Sequence, residues 1–574
     1  MQIYQRQSRY FLSRVLLAVA LLLGEFAGAG AARDVKQLVA PLVLIGGGPE
    51  NHQVTAELLS LAGGTAARAV ILPVGSSRPA EAGAAWEKYL AAFGVEARAL
   101  LLPERAATTA IETLRTLAAA DLLFFTGGDQ RKLAEWLSGT PVQGALLTAW
   151  QRGAVLAGTS AGAMIWGSNY LVSGTSRSAL TMAFEKNSEG RPGLELRSAW
   201  GFLENFLIDT HFSEKQRLGR LLLALAATPA ARALGIDEGT AAIFTGSQLR
   251  VIGKGSVSLI TAPSLLGNNA KQAGLRTPFA AGPFVMQRLI SGQSIDLNDQ
   301  ENAKQPVIDR EQLAASSSAR LNKIMPMTLV GSQLPLSSSG AVVDFIRNAG
   351  GTGARLLLLA GDRAARPAEV WRKQLLVLGA GRAVVLIASS LHDQGLAQVL
   401  ADSSGIFFLE DEAGTLLSAL NANQRQLGNL LTSYALRLPL AAAGVGVRLL
   451  GAVAIFGSPT RGNKFMLPGL RLAPGAVIYE QFWETAGFEQ LLQAVLLTRG
   501  GFGIGLGPEN IVRLDQGQAI VSGQGQVLSL EGAHIQDFTL PATDSLAPAA
   551  VRGLEISVIP PDNAYDFQRQ LPRF

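Results

Sequence analysis

The same series of local patterns occurs twice along this chain, in the same order. Each copy opens with a proline, a short apolar run and a glycine, and then continues with a helix-like stretch, a pair of glycines and a second apolar run. The later shared features are Arg-Pro-Ala-Glu, Phe-Phe and aromatic-Gly-Ser, at 78–81 and 366–369, 124–125 and 407–408, and 166–168 and 456–458. The shared order predicts a tandem duplication of one domain.

Each copy alternates short β-branched apolar runs with longer amphipathic stretches. That pattern is typical of an α/β fold, in which helices cover both faces of a mostly parallel sheet. The chain has 574 residues and is therefore too long for one ordinary core. We predict two tandem three-layer α/β/α domains at residues 33–305 and 326–574, joined by a polar linker at 306–325.

Residues 1–32 have the pattern of a cleaved signal peptide. Arg6, Arg9 and Arg14 precede an unbroken apolar run at 15–23, and the small residues at 27–32 suit cleavage. The apolar run is too short to span a bilayer comfortably. We therefore expect a periplasmic or secreted protein without a stable membrane span after cleavage, and an uncleaved membrane anchor is the alternative.

Composition excludes several kinds of site. The chain has no cysteine, which rules out disulfides, thiolate zinc sites and cysteine nucleophiles. No two of its four histidines have metal-ligand spacing, so we expect neither a metal nor another cofactor. The net charge of +5 is spread without a Lys/Arg run, so nucleic acid is not an expected partner.

The strongest local signal is an apolar strand that runs into Gly158-Thr-Ser160-Ala-Gly162 and then into a helix-like segment. This context is typical of a nucleophile elbow, where a tight turn pushes a serine hydroxyl out at the top of the sheet. The N–H of Ala161, at the start of the helix, would stabilise an oxyanion. A second strand enters a Gly-Gly turn, in which Gly128 is our second oxyanion donor and Gln130 a substrate contact.

A serine nucleophile needs a base, and a third group must orient that base. His211 follows an apolar strand and has basic residues after it, and we prefer it to His52, which follows the first strand. Glu238 ends another apolar strand and is our orienting acid, with Asp237 and Asp209 as rivals.

Four ordered motifs of the first copy resemble those of cyanophycinases. They are Thr126-Gly-Gly-Asp-Gln130, Gly158-Thr-Ser-Ala-Gly-Ala163, Asp209-Thr-His-Phe-Ser213 with Arg217-Leu-Gly-Arg220, and Gly235-Ile-Asp-Glu238. Cyanophycinases are related to aspartyl dipeptidase E and share its class I glutamine amidotransferase-like fold. The resemblance implies that fold and a serine exopeptidase that removes β-Asp-Arg dipeptides from cyanophycin, a poly-aspartate with arginine on each side-chain carboxyl.

The resemblance also implies a role for each matched residue. Ser160 would be the nucleophile, His211 the general base and Glu238 the orienting acid. The implied substrate-binding positions are Gln130 and Asp209 for the aspartyl part, Arg217 and Arg220 for carboxylates, and Thr210 and Lys215, where the family usually has Gln and Arg. The last two departures leave an isoaspartyl or β-aspartyl dipeptidase, or an amidase, as an alternative.

In the second copy every chemical part is replaced. Matching the aromatic-Gly-Ser segments puts Leu450 opposite Ser160, and the later motifs put Gln481 opposite His211 and Leu506 opposite Glu238. We therefore predict a degenerate, inactive copy that packs against the first as a pseudo-dimer within one chain, and a further homodimer stays open. A non-catalytic exported peptide-binding protein is the alternative from another functional class.

Overall fold

The computed structural model describes residues 38–228, 232–299, 326–332, 340–422, 427–457, 465–480, 482–483, 487–541, 547–567 and 571–573. These residues belong to one unit, Lys36–Phe574. We call the described residues up to 299 the N-terminal half and those from 326 the C-terminal half. The expected signal peptide and linker, at 1–32 and 306–325, lie outside the described residues.

The N-terminal half alternates strands and helices. Its strands are β1 Leu42–Ile45, β2 Ala69–Leu72, β3 Ala97–Ala99, β4 Leu122–Phe125, β5 Val155–Thr159, β6 Asn169–Ser173, β7 Glu195–Ser198, β8 Phe206–Thr210, β9 Arg232–Ile236, β10 Thr240–Thr245, β11 Gln248–Gly253, β12 Ser256–Thr261, β13 Ala281–Ile290 and β14 Ser294–Asp296. Its helices are α1 His52–Leu61, α2 Pro79–Ala91, α3 Ile111–Ala119, α4 Gln130–Leu137, α5 Pro141–Gln151, α6 Ala161–Met164, α7 Ser176–Met182 and α8 Leu218–Ala227.

The C-terminal half repeats this alternation. Its strands are β15 Met327–Val330, β16 Arg355–Ala360, β17 Arg382–Ile387, β18 Gly405–Leu409, β19 Leu440–Ala443, β20 Val453–Phe456, β21 Phe465–Pro468, β22 Ala476–Tyr479, β23 Phe502–Gly505, β24 Asn510–Asp515, β25 Gln518–Gly523, β26 Val527–Glu531, β27 Asp537–Thr539, β28 Ala550–Ile559, β29 Ala564–Asp566 and β30 Leu571–Arg573. Its helices are α9 Gly340–Asn348, α10 Ala365–Val377, α11 Asp393–Asp402, α12 Thr415–Ala422, α13 Asn429–Ala435 and α14 Gly487–Leu497.

Each half has a sheet built around parallel strands. In the N-terminal half the strand order is β14-β11-β10-β1-β5-β4-β2-β3, and the strands from β1 to β3 in that order pair in parallel. The C-terminal sheet has the order β17-β16-β18-β19-β15-β24-β25-β29-β30. The central strands are buried along their length, as parallel strands covered on both faces are. The predicted α/β class with parallel-containing sheets is confirmed.

A third sheet of 11 strands contains strands of both halves, in the order β22-β23-β26-β28-β13-β12-β9-β8-β6-β7 with β27 beside β28. The halves meet where β13 pairs antiparallel with β28, with Val285 opposite Glu555 and Met286 opposite Leu554. Sequence patterns predicted one sheet for each half and missed this shared sheet. Two strands that lie so far apart in the sequence leave no local pattern that reveals the pairing.

Helix α8 lies in an apolar cluster that both halves build. Nearly every residue of α8 is buried, and Leu221 and Leu222 belong to the same cluster as Leu491 and Leu492 of α14. Full burial of one leucine contributes about 2 kcal/mol. The segment between β8 and α8 is therefore anchored at its C-terminal end by contacts with both halves. None of the helices in the described ranges is long and apolar enough to cross a membrane.

Candidate active site

Ser160 stands at a sharp turn between β5 and α6. Its φ and ψ are 52° and −121°, a conformation that a residue with a Cβ rarely adopts. A Cβ on Gly158 would lie 2.1 Å from the carbonyl oxygen of Gly162, and a Cβ on Gly162 would lie 2.4 Å from that of Phe125. Both glycines are therefore required by close backbone packing, and the turn has the features of a nucleophile elbow.

His211 lies directly beside this serine. The Ser160 Oγ and His211 Nε2 atoms are 2.8 Å apart. His211 follows the last residue of β8 with a φ of 49°, and its N–H donates to the carbonyl of Gly46 at 2.8 Å. The rival His52 begins α1 and packs its ring against Phe93, at a centroid distance of 5.3 Å. The structure thus brings His211, and not His52, to the serine.

Glu238 is the carboxylate that contacts the imidazole. Its Oε1 lies 2.6 Å from His211 Nδ1. The two rivals are occupied elsewhere, since Asp209 pairs with arginines and Asp237 accepts hydrogen bonds from the Ser213 N–H and the Ser256 hydroxyl. Of the three acidic residues that the sequence left open, only Glu238 is in place to orient the ring.

Burial lowers the pKa of His211 below its usual value near 6.5, and the cations Lys215 and Arg217 add to this effect. The hydrogen bond to Glu238 works in the opposite direction. The imidazole is therefore neutral at pH 7. With Nδ1 toward Glu238, the lone pair on Nε2 is available to take a proton from Ser160.

A run of glycines after β1 forms a backbone layer over these side chains. A Cβ on Gly47 would lie 2.4 Å from His211 Cε1, and a Cβ on Gly48 would lie 2.6 Å from Glu238 Cβ. Any larger residue at either position would displace the side chains beneath. No predicted role fell on these glycines, although a Gly-Gly-Gly run directly after a buried strand is the signal that could have singled them out.

The two expected oxyanion donors lie on backbone beside Ser160. Ala161 follows the serine as the first residue of α6. Gly128 has a φ of 134°, and a Cβ there would lie 2.0 Å from the carbonyl oxygen of Gly75, so only glycine fits. A Cβ on its neighbour Gly127 would lie 3.2 Å from that of Ser160, which puts this turn in contact with the serine.

The expected substrate contacts divide into a surface set and a buried set. Lys215 is exposed, Gln130 is half-buried at the start of α4, and the Arg217 side chain is 17% exposed. Asp209 and Thr210 are 0% exposed and Arg220 is 5% exposed. The expectation that these last three residues face the substrate is corrected, because in this structure they lie beneath the site.

Two members of the buried set, Asp209 and Arg220, form an internal ion pair. The Asp209 carboxylate accepts from both Arg217, at 3.1 Å, and Arg220, at 2.7 Å, so its charge is compensated within the protein. The hydroxyl of Thr210 is buried and has no hydrogen-bond partner among the described residues. This pair fixes the segment that carries His211 instead of offering charges to a ligand.

Glu214 is a further acidic residue at the site that no sequence pattern singled out. Its carboxylate accepts from the N–H of Glu238 at 3.2 Å. Partial desolvation raises the pKa of Glu214, and the nearby charge of Asp237 adds to the increase. Glu214 therefore helps to hold the backbone from which Glu238 projects.

The C-terminal half has the same turn without its chemical groups. Gly444 follows β19 as Ser160 follows β5, with a φ of 54°. Leu450, predicted opposite the serine, instead matches Trp166, because the carbonyl of each accepts from an equivalent loop N–H at 2.8–2.9 Å. The prediction was wrong because this half has extra residues between its turn and its aromatic-Gly-Ser segment.

The match for Glu238 is also corrected. The carbonyl of Leu506 accepts from the Phe482 N–H, as the carbonyl of Ile236 accepts from the Phe212 N–H. Leu506 therefore corresponds to Ile236, and Pro508 stands two residues later where the other half has Glu238. Gln481, predicted to replace the base, lies outside the described residues.

An ion network fills the corresponding region of the C-terminal half. Arg448 is 2% exposed and contacts Glu480 at 2.7 Å and Glu412 at 2.9 Å. Burial also raises the pKa of Glu410, in the turn that replaces Gly-Gly-Asp-Gln, to about 7. Arg448 satisfies the two carboxylates that it contacts, whereas Glu410 accepts hydrogen bonds from the backbone N–H groups that follow it.

Comparison with known proteins gives a consistent result. The model of peptidase family S51 matches residues 42–252. A cyanophycinase of Trichormus variabilis is 32% identical over 268 residues, which is 46% of this chain and 87% of the relative, and one of Synechococcus elongatus is 31% identical over 263 residues, 45% and 79%. The solved structure of a peptidase from an acI-B1 Actinobacterium is 22% identical with a TM-score of 0.34, and the match covers 46% of this chain and 98% of that one.

Proposed function

Because this chain belongs to peptidase family S51 and is a serine-type peptidase, we propose that it hydrolyses β-aspartyl peptides with Ser160, His211 and Glu238 as its catalytic triad. The observation that carries the proposal is the continuous pair of contacts, 2.8 Å from Ser160 Oγ to His211 Nε2 and 2.6 Å from His211 Nδ1 to Glu238 Oε1. A nucleophile, a base and an orienting carboxylate in this order are the parts that acyl transfer requires.

In the proposed mechanism His211 Nε2 takes the hydroxyl proton as Ser160 Oγ attacks the substrate carbonyl carbon. Glu238 stabilises the imidazolium that forms, and the N–H groups of Ala161 and Gly128 stabilise the oxyanion. The imidazolium then protonates the leaving amine and the C–N bond breaks, leaving an ester on Ser160. Water, deprotonated by His211, hydrolyses that ester and restores the free enzyme.

Cyanophycin is the substrate that we propose first, with β-Asp-Arg dipeptides as the product. The two relatives named above are cyanophycinases, and their match to this chain covers most of their own length. The positive charge of Lys215 near the triad suits the carboxylates of an aspartyl substrate, and Gln130 would bind its polar atoms.

A β-aspartyl or isoaspartyl dipeptidase, or an amidase, on the same scaffold is the second candidate. It is favoured by Lys215 and Thr210, where cyanophycinases usually have arginine and glutamine. Lysine keeps the charge but cannot bind a carboxylate with two parallel hydrogen bonds. Glutamine would carry a longer polar side chain at the position of Thr210. The Thr210 hydroxyl is buried and has no hydrogen-bond partner among the described residues.

Each of the remaining segments of the chain has a proposed role. We propose that residues 1–32 direct export to the periplasm or the medium, that the catalytic domain is 33–305 and that 306–325 is a linker. The repeat at 326–574 is proposed to be inactive, which Gly444 and Pro508 at the equivalent positions support.

Hydrolysis of insoluble cyanophycin tests this proposal. Purified protein should release soluble β-Asp-Arg, while Ser160→Ala should release none and Ser60→Ala, on the exposed face of α1, should match the wild type. Cleavage of isoaspartyl dipeptides but not of the polymer would favour the second candidate. A fluorophosphonate probe that never labels Ser160, together with no product from any substrate, would favour a binding protein.

A further inference from the structure

A chain of buried and half-buried polar contacts runs from the C-terminal half to the residues of the proposed triad. It starts at Glu489, in the first turn of α14, and passes to Arg288 on β13, which is 2% exposed. The Glu489 carboxylate is itself held by the Gln493 side chain at 2.7 Å and by the Ala549 N–H at 2.9 Å. Glu489 is thus a fixed anion against which a cation of the N-terminal half is placed.

Arg288 connects that anion to the strand end next to Glu238. Its Nε donates to the Ser256 hydroxyl at 2.9 Å, and its Nη2 lies 3.8 Å from the carboxylate of Asp237. The Ser256 hydroxyl in turn donates to the same Asp237 carboxylate at 2.6 Å. Since Asp237 is 3% exposed, its charge depends on these partners for compensation.

Asp237 is connected through the backbone to His211 and Glu238, the two members of the proposed triad other than the nucleophile. Its other oxygen accepts from the N–H of Ser213, two residues after His211, at 3.0 Å. Its own peptide bond leads to Glu238, whose side chain contacts His211. The carboxylate therefore joins the backbone that carries the base to the backbone that carries the orienting acid.

We propose that Glu489 is a positioning residue for the active site: through Arg288 and Asp237, the inactive half holds His211 and Glu238 in register with Ser160. The inference rests on the proposed function, because it assigns to the second half a role in the chemistry of the first. It also explains why a half without a nucleophile places a partly buried anion at its junction with the catalytic half.

The variant Glu489→Gln tests this role against a matched control. Gln526, 3% exposed, donates to the Leu180 carbonyl across the same junction at 2.6 Å but does not touch the Asp237 network. We expect Gln526→Leu to lower the unfolding temperature without changing kcat. We expect Glu489→Gln to lower kcat roughly tenfold to a hundredfold with little change in KM, because it loosens groups that act in the transition state.

The pKa of His211 gives a readout that a merely structural role would not change. Loss of a negative charge from the network disfavours the imidazolium, so the acid limb of the kcat profile should move to lower pH in Glu489→Gln and stay in place in Gln526→Leu. The chain has only four histidines, so NMR titration can follow His211 directly. Glu489→Asp should recover part of the lost rate.

Two further measurements keep the outcome decisive. If Glu489→Gln does not fold, Glu489→Asp keeps the charge opposite Arg288 and should fold with a kcat below that of the wild type, because the shorter side chain weakens the contact. If no substrate is hydrolysed, the proposed function fails, but the rate of fluorophosphonate labelling of Ser160 and the pKa of His211 still report on positioning. Wild-type kcat, labelling rate and His211 pKa in a folded Glu489→Gln protein would overturn the inference.

Discussion

Ser160 and Gly444 occupy the same place in the two halves, each directly after a parallel strand, with φ angles of 52° and 54°. Glycine adopts such an angle without cost, whereas a residue with a side chain pays roughly 1–3 kcal/mol. The C-terminal half therefore has this turn without the strain. The N-terminal half carries the strain at Ser160, as expected for the nucleophile elbow that we propose.

The variant Glu238→Gln should reduce kcat on the order of 10⁴-fold, because a neutral amide neither stabilises the imidazolium nor fixes the ring in the same tautomer. KM should change little. Steady-state kinetics on a soluble β-aspartyl peptide measures both, and the exposed surface variant Glu112→Gln serves as the control. A loss of less than about tenfold would remove Glu238 from the proposed triad.

Activity should fall on the acid side of pH 6.5, since burial and nearby cations lower the pKa of His211 from that value and only the neutral imidazole acts as a base. In Lys215→Met one of these cations is lost, so the pKa rises and the acid limb moves to higher pH. The pH dependence of fluorophosphonate labelling measures this shift independently of substrate binding.

The control for that shift is Lys88→Met, on the exposed last turn of α2, which should leave the profile of the wild type. An unchanged acid limb in Lys215→Met would mean that the lysine charge does not act on His211.

The variant Gly47→Ala should lower kcat by about a hundredfold or more, because the new Cβ would lie 2.4 Å from His211 Cε1 and the ring must move. Gly144→Ala is the matched control, since no neighbouring atom lies within 4 Å of a Cβ there. It lies within α5 and should gain about 0.5–1 kcal/mol of stability with unchanged activity. Wild-type rates in folded Gly47→Ala would contradict the role of this glycine as a layer over the base.

A buried carboxyl in the C-terminal half should make stability depend on pH. Burial raises the pKa of Glu531 to about 7, with the Tyr565 hydroxyl 3.2 Å from its carboxyl group. The unfolded chain loses this proton near pH 4.5 and the folded chain only near 7, so the favourable contribution is complete below 4.5 and is lost as pH rises to 7.

The variant Glu531→Gln keeps the carbonyl acceptor without the ionisable proton. It should raise the unfolding free energy relative to wild type at pH 8, by about 3 kcal/mol at most, and leave it nearly unchanged at pH 4. Denaturant melts at the two pH values measure the difference. Equal differences at both pH values would show that the carboxyl does not ionise over this range.

The residues of the N-terminal site could be found from the sequence because their chemistry is tied to local patterns. A glycine-flanked serine after an apolar strand predicts an elbow, and polar groups at the ends of neighbouring parallel strands meet at one sheet edge. Ser160, His211 and Glu238 each follow a strand in this way. Their contacts in the structure are those that the pattern suggested, and their catalytic roles remain predictions.

Sequence patterns failed where the decisive contact joins distant residues. Asp209 and Arg220 looked available to a substrate, yet each compensates the other's buried charge. Short motifs matched Leu450 to Ser160 and Leu506 to Glu238, but extra residues between the elements shift those motifs. Equivalent backbone hydrogen bonds instead put Gly444 and Pro508 at the positions of Ser160 and Glu238. The sheet shared by the halves and the contact of Glu489 with Arg288 depend on packing that only the folded chain reveals.

The pairing of β13 with β28 has a consequence for any shortened form of this protein. Each of these strands is ten residues long, and their pairing joins the halves into one sheet. Removal of the repeat would leave β13 paired on one side alone, with β12, and would open backbone donors and acceptors along its other side. Such an edge is of the kind that recruits other chains into aggregates. Loss of the C-terminal half would therefore give a protein prone to self-association, even if every side chain of the proposed triad were still present.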